Sequence, residues 1–185
     1  TACRRQRQMC IRDRDTNIYK EVDKISPILS GKFSKIEEDF CFLFVGHWLS
    51  GNLGEDRKDI GMLLKVFYTI FKNKKNQPAL ILKTSGAGFS IMDRNEMMKK
   101  IRLVKDSMRG DKLPNVYLLH GDLTDEEMNQ MYNHPKVKAH LTFTHGEGFG
   151  RPMLEATLSG KPMLAPISTG PVSYTHLTLP TTSSV

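Results

Sequence analysis

The glycine-rich segment 145–156 places two carboxylates around a tight turn. Glu147 and Glu155 are separated by seven residues, and the segment follows the apolar run 139–144. Pro152 then opens a pattern typical of a helix. We therefore expect a strand, a loop and a helix N-terminus, where backbone amides and the positive end of the helix dipole can hold an anion. With an acceptor on each side of those amides, the arrangement suits a sugar nucleotide, which carries a diphosphate between two hydroxyl-rich rings.

The elements that must position this loop alternate between strand and helix. Strands are predicted at 40–45, 79–82, 116–119, 139–144 and 162–165. One helical stripe contains Ile60, Leu63, Leu64, Phe67, Ile70 and Phe71, and a second contains Met98, Ile101, Val104 and Met108. Thr124 and Glu127 have the spacing of a capping box for a short helix, and a last helix is predicted from Pro152 to Ser159. The alternation predicts an α/β fold with a doubly wound, Rossmann-like parallel sheet. Ligands of such sheets bind beyond the carboxyl ends of the strands, where the Glu147 loop lies.

The two termini are complementary when read as nucleic acid. Residues 4–13 can be encoded by a DNA string whose reverse complement encodes residues 172–181. That string resembles a transposase sequencing adapter. Our hypothesis is that 1–14 and 172–185 are translated adapter around a metagenomic gene fragment, that 15–38 is a linker or a remnant of an upstream region, and that 39–171 is the ligand-binding domain.

Removing those termini changes what the composition indicates. The net charge is +7, and residues 1–14 contribute five arginines and one aspartate, or +4, which leaves +3. The sequence therefore gives no reason to expect a nucleic-acid partner. Cys41 is then the one remaining cysteine, so a disulfide framework is not expected. We expect instead a reducing, cytoplasmic compartment. No apolar run approaches the roughly 20 residues that a transmembrane helix needs.

The segment from Glu147 to Ala156, followed by Ser159-Gly160-Lys161-Pro162, resembles the signature of retaining glycosyltransferases with the two-domain GT-B fold, of the family 4 or group 1 type. The resemblance covers about residues 40–171 and implies the C-terminal, donor-binding half of such an enzyme. It further implies that acceptor-binding residues belong to an N-terminal domain absent from this chain, so that the fragment alone is inactive. The donor is a nucleotide sugar, and neither a cofactor nor a metal is expected.

The resemblance also assigns roles to individual residues. Glu147 is expected to be the catalytic residue that faces the donor sugar, and Glu155 to hydrogen-bond the nucleotide ribose. The amides of the loop residues Gly148, Phe149 and Gly150 are expected to contact the sugar or the diphosphate. Lys58 matches the lysine that neutralises the diphosphate. The arginine usual after the first strand is His47 here, a departure for which Arg57 is a candidate substitute.

Several interpretations stay open at this stage. The chain could be a non-catalytic module that binds a nucleotide or a partner, and Lys58 and Arg57 could belong to a solvated charged face. Gly86 and Gly88 form part of a dinucleotide fingerprint, which leaves a nicotinamide-dependent dehydrogenase as a further alternative. Lys83 could approach a donor, and Trp48 could either stack on a sugar or base or pack in the core.

Overall fold

The computed structural model describes residues 15–49, 56–86, 88–110, 112–146 and 150–166. Within them lies one sheet of five parallel strands. These strands are β1 (Cys41–Val45), β2 (Ala79–Lys83), β3 (Val116–Leu118), β4 (Val137–Leu141) and β5 (Met163–Leu164). Their order across the sheet is β3-β2-β1-β4-β5. The order reverses direction between β1 and β4, which is the topological switch point of a doubly wound sheet.

Helices connect these strands on both faces of the sheet. They are α1 (Pro27–Phe33), α2 (Ile60–Phe71), α3 (Ile91–Ser107), α4 (Asp125–Asn133) and α5 (Arg151–Thr157). Short polar side chains begin three of them. The Ser26, Ser90 and Thr124 oxygens accept hydrogen bonds from amides in the first turns of α1, α3 and α4. Such caps satisfy donors that a helix start otherwise leaves unpaired.

Alternate side chains of the central strands enter two separate hydrophobic clusters. Cys41 and Leu43 of β1 point to a cluster that contains residues of α1, α4 and α5. Phe44 of the same strand points to a cluster with α2 and α3. Because successive side chains of a strand face opposite sides, this division shows that helices cover both faces. The predicted doubly wound α/β fold is confirmed.

The segment 15–38, which the sequence analysis interpreted as a linker, contributes to the core. Tyr19, Leu29, Phe33 and Ile36 are buried in the cluster on the α1 side, and α1 itself lies in this segment. The segment is therefore packed against the domain rather than acting as a free linker, because Leu29 and Phe33 share one face of a short helix and Tyr19 and Ile36 join the same cluster. The alternative that it is a remnant of an upstream region stays a prediction.

Other differences concern the ends of elements and individual positions. Strand β4 begins two residues and ends three residues earlier than predicted, while the capping box of Thr124 and Glu127 is present as predicted. Ile70, assigned to the apolar stripe of α2, is more than half exposed. Met97, which was not assigned to the core, is fully buried on α3.

Candidate functional site

A cavity of about 630 Å³ opens beyond the carboxyl ends of β1 and β2. Its walls come from the segments that follow β1, β2 and β3, from α4, and from the start of α5. The residues that line it are Tyr19, Val45, Gly46, His47, Arg57, Lys58, Lys83, Thr84, Ser85, Phe89, Asp122, Leu123, Asp125, Met128, Gly150, Arg151, Pro152 and Glu155. The volume lies within the range of about 300–1,000 Å³ that is usual for small-molecule sites.

Gly150 begins the helix that closes one side of this cavity. It is the N-cap of α5 and has φ 68° and ψ 52°, in the left-handed region that glycine adopts at little cost. Its carbonyl oxygen accepts hydrogen bonds from the amides of Met153 and Leu154 at 2.9 and 3.1 Å. The glycine therefore lets the chain turn sharply from the preceding loop into the helix. Glu147, Gly148 and Phe149 lie outside the described residues.

Glu155 contributes a buried carboxylate to the cavity wall. The residue is only 5% exposed, and the phenol of Tyr132 donates a hydrogen bond of 2.9 Å to its Oε2 atom. The Oε1 atom lies 3.9 Å from Nε of Arg151, whose side chain is mostly exposed. The two carboxylate oxygens thus face different surroundings, one towards the core and one towards the solvent-exposed side of the helix.

Arg57 and Lys58 reach the cavity from the segment before α2. Nη1 of Arg57 donates to the Gly146 carbonyl at 2.8 Å, and the Arg57 carbonyl accepts from the His145 amide at 2.9 Å. These bonds join the connection after β1 to the connection after β4. Lys58 is only 7% exposed. The alternative in which Lys58 lies on a solvated face is therefore wrong.

Lys83 adds a third basic side chain to the wall. It ends β2, is buried, and donates from Nζ to the Gly121 carbonyl. Burial lowers the pKa of its ammonium group, nearby Asp122 opposes that shift, and Lys32 reinforces it. A buried ammonium has few water contacts, so an anion that entered the cavity would compensate its charge strongly.

Backbone bonds continue from the sheet into the cavity floor. The Gly46 amide donates to the Lys83 carbonyl at 3.1 Å, and the Trp48 amide donates to the Ser85 carbonyl at 2.8 Å. His47 Nδ1 lies 3.1 Å from Ser85 Oγ. Trp48 itself packs in the core against α2 and α3, with the Lys100 ammonium 5.5 Å from its ring centroid. Of its two open interpretations, packing is the one observed.

Gly86 forms a turn whose amide is already occupied. It donates to both carboxylate oxygens of Asp93, at 3.0 and 3.1 Å. A dinucleotide fingerprint needs free amides and close approach of the phosphate at this point. The geometry therefore favours a structural turn over the nicotinamide site.

The structure thus brings together four of the seven site residues predicted from the sequence. Arg57, Lys58, Gly150 and Glu155 line one cavity, and the other three lie in the undescribed loop 147–149. Sequence reasoning missed Tyr19, Asp122 and Asp125, which line the cavity, and Tyr132, which lies behind its wall. Tyr19 lies about 100 positions before the other three in the sequence. For Lys83, its place at the end of a predicted strand was the available signal.

Two kinds of feature are absent from the described part of the chain. In it, no three His, Cys, Asp or Glu side chains are grouped so that they could hold a metal ion. None of the helices in those same residues has the length and apolar character needed to cross a membrane.

Sequence comparison and structure comparison give different answers. No protein-family profile matches the chain, and no curated protein sequence does. Among solved structures, it is similar to the C-terminal domain of a glycosyl transferase group 1 family protein from Francisella tularensis, with 16% identity, a TM-score of 0.54, and coverage of 82% of this chain and 69% of the other. It is also similar to an E. coli structure described as trehalose-6-phosphate bound with UDP-2-fluoro glucose, with 12% identity and a TM-score of 0.51.

That second similarity covers 81% of this chain but 34% of the E. coli protein, so the chain spans about a third of that length. At these identities the similarity concerns the fold. The chain therefore has the Rossmann-like fold of the C-terminal domain of GT-B glycosyltransferases, as the sequence resemblance predicted.

Proposed function

We propose that this chain is the donor-binding domain of a glycosyltransferase that transfers a sugar, of the hexosyl type, from a nucleotide-sugar donor with retention of configuration. One observation supports this most strongly. Three residues that match the glycosyltransferase pattern, Lys58, Gly150 and Glu155, line a single cavity at the expected edge of the sheet, together with Arg57, the candidate substitute for the arginine that the chain lacks. The four are separated by up to 98 positions in the sequence, so the fold rather than proximity in the chain unites them.

The charges in the cavity support binding of a diphosphate. Arg57 and Lys58 contribute positive charge from the segment that follows β1, and Lys83 contributes it from the last position of β2. In the reaction we propose, the bond between the anomeric carbon and the diphosphate oxygen breaks, and the nucleoside diphosphate leaves with the electron pair. The oxygen of an acceptor hydroxyl forms the new bond to the anomeric carbon on the same face, and its proton passes to the departing diphosphate. Cations placed where this negative charge develops stabilise the transition state. The acceptor hydroxyl would come from a substrate bound by a separate N-terminal domain.

The carboxylates have complementary roles in this proposal. Glu155 accepts hydrogen bonds from the ribose, and Glu147 faces the donor sugar as the positive charge develops at its anomeric carbon. The loop amides of Gly148, Phe149 and Gly150 contact the sugar or the diphosphate. We further propose that the reaction takes place in the cytoplasm and needs no bound metal.

Isothermal titration of the 185-residue chain with UDP-glucose, GDP-mannose, ADP-glucose and NADH tests the proposal. We expect at least one sugar nucleotide to bind, and Glu155→Gln to weaken that binding about tenfold, as for loss of a hydrogen bond to a charged group. Glu126→Gln is the matched control, because Glu126 lies in the first turn of α4 and is exposed. Binding of NADH without binding of any sugar nucleotide would refute the proposal and favour a dehydrogenase.

A further inference from the structure

Tyr132 and Glu155 form a buried pair directly behind the cavity wall. Tyr132 lies on α4 and is fully buried, whereas Glu155 lies on α5 and lines the cavity. The phenol oxygen of Tyr132 donates to Oε2 of Glu155 at 2.9 Å. Glu155 lines the cavity, whereas Tyr132 does not. The hydrogen bond to the Glu155 carboxylate therefore gives Tyr132 a direct polar link to the cavity wall.

The surroundings of Tyr132 hold its ring in one orientation. The edge of the ring packs against His140, with centroids 5.5 Å apart and an interplanar angle of 74°. The Tyr19 ring lies 6.5 Å away on a tilted plane. Packed interiors leave little freedom for such a ring. The donor that reaches Glu155 is consequently fixed by the core and not by solvent.

A fixed donor on one oxygen limits rotation of the carboxylate about its last bond. With Oε2 held by Tyr132, the direction of Oε1 is also set, and Oε1 faces the side on which Arg151 lies. A binding group that is already oriented loses less conformational freedom when the ligand arrives. Removing the phenol would leave a buried charged oxygen with one donor fewer and a wider range of orientations.

We propose that Tyr132 is a positioning residue that orients Glu155 towards the hydroxyl groups of the nucleotide ribose. This inference rests on the proposed function, because it takes Glu155 as the ribose acceptor. It assigns to a core tyrosine part of the selectivity for a ribonucleotide over a nucleotide that lacks the ribose hydroxyls.

The test compares ligands that differ only at the ribose. UDP, GDP and ADP, each with its 2′,3′-dideoxy counterpart, are titrated calorimetrically into the 185-residue chain and into Tyr132→Phe. We expect Tyr132→Phe to weaken binding of the ribonucleotide about fivefold to tenfold and binding of the dideoxy nucleotide less than twofold. A merely structural role would weaken both ligands alike. Equal weakening of both, or no weakening of either, would overturn the inference.

Tyr117→Phe is a matched control, since the Tyr117 phenol also donates to a carboxylate, Oε2 of Glu38 at 3.0 Å, away from the cavity. It should change neither affinity. If Tyr132→Phe folds poorly, the same substitution is made in the Glu155→Gln variant, in which the buried negative charge is absent, and the double variant is compared with Glu155→Gln alone. There we expect no further loss of ribonucleotide affinity, because both changes act through one contact, and an additive loss would overturn the inference. If the unmodified chain bound none of the six nucleotides, the proposed function itself would be refuted. If it bound ribonucleotides but Tyr132→Phe weakened both members of a pair equally or neither, only the inference about Tyr132 would be refuted.

Discussion

The Nε2 atom of His120 lies 2.8 Å from Oδ2 of Asp93, and both side chains are almost completely buried. The same carboxylate accepts hydrogen bonds from the amide of Gly86. Burial raises the pKa of Asp93, but the hydrogen bonds from His120 and from Gly86 outweigh it and hold the pKa below its usual value. One carboxylate on α3 thus fixes the turn after β2, beside the cavity residues Lys83 and Ser85.

Gly86→Ala is expected to destabilise the protein. A Cβ atom at this position would lie 2.5 Å from Oδ1 of Asp93, so either the carboxylate or the turn must move, and the hydrogen bonds from the amide weaken. We expect the free energy of unfolding to fall by about 1–3 kcal/mol in urea denaturation, as for loss of hydrogen bonds to a buried charged group. Gly88→Ala is the control, because a Cβ there meets nothing within 4 Å. Equal effects of the two substitutions would contradict this account of the turn.

His140 is expected to make the fold sensitive to acid. It is buried on β4, and burial together with Lys161 lowers its pKa from 6.5 to about 3. The folded state therefore keeps the imidazole neutral, whereas the unfolded chain takes up a proton below pH 6.5. The stability due to this group is fully present above pH 6.5 and is lost progressively as the pH falls towards 3, by at most about 1.4 kcal/mol per pH unit.

Urea denaturation at pH 7, 6, 5 and 4 measures this effect. The His140→Gln variant removes the titrating group but can still hydrogen-bond Ser159, whose hydroxyl lies 3.2 Å from Nε2 of His140. We expect its free energy of unfolding to decrease less over this pH range than that of the unmodified chain. Burial, Lys161 and Lys136 lower the pKa of His134 to about 4. His134 therefore still makes the free energy of unfolding of the variant depend on pH. Identical slopes would show that His140 is not the responsible group.

Lys58→Ala is expected to weaken diphosphate binding selectively. The ammonium group lines the cavity from a largely buried side chain, so water screens it less than a surface charge. Titration calorimetry should show about a tenfold loss of affinity for UDP, as for one charge-assisted contact, and less than a twofold loss for uridine. Lys65→Ala is the control, since Lys65 lies exposed on α2. An equal loss for UDP and uridine would remove Lys58 from the phosphate site.

Thr124→Ala is expected to lower the free energy of unfolding by about 1 kcal/mol, the usual cost of losing an N-cap oxygen. Thr124 Oγ1 accepts from the Glu127 amide at 3.2 Å, and Glu127 Oε2 accepts from the Thr124 amide at 3.0 Å. Thr124→Ser keeps the hydroxyl and should keep the stability, as measured by urea denaturation. Because α4 also carries Tyr132, a loss in the serine variant as large as in the alanine variant would indicate that packing, not capping, is affected.

The order of elements could be predicted because each strand and most helices carry their signal locally. The runs 41–45 and 79–82 are apolar throughout, as buried parallel strands require. Thr124 and Glu127 specify a helix start within four residues. Helix α1 was missed because its apolar residues do not mark one face clearly: Leu29 and Phe33 are buried but Ile28 is exposed. Burial of the first two depends on Met131 and Tyr132, about 100 residues later.

The candidate site was predictable to the extent that its motif is contiguous. Gly150 and Glu155 belong to one short signature, and both line the cavity. The Tyr132–Glu155 bond joins two helices across 23 residues, and the Lys83–Gly121 bond joins the end of β2 to the segment after β3 across 38. The spacing of such residues in the sequence does not predict that they are in contact, because the order of strands in the sheet decides which segments become neighbours.

Trp48 is the only tryptophan of the chain, and it is 5% exposed. Its amide is bonded to Ser85, which lines the cavity, and its ring stands near the ammonium group of Lys100. All indole fluorescence therefore originates one residue away from the cavity wall. A change in emission during titration reports on this neighbourhood alone, without any attached dye, and unlabelled protein is sufficient for a screen of candidate ligands.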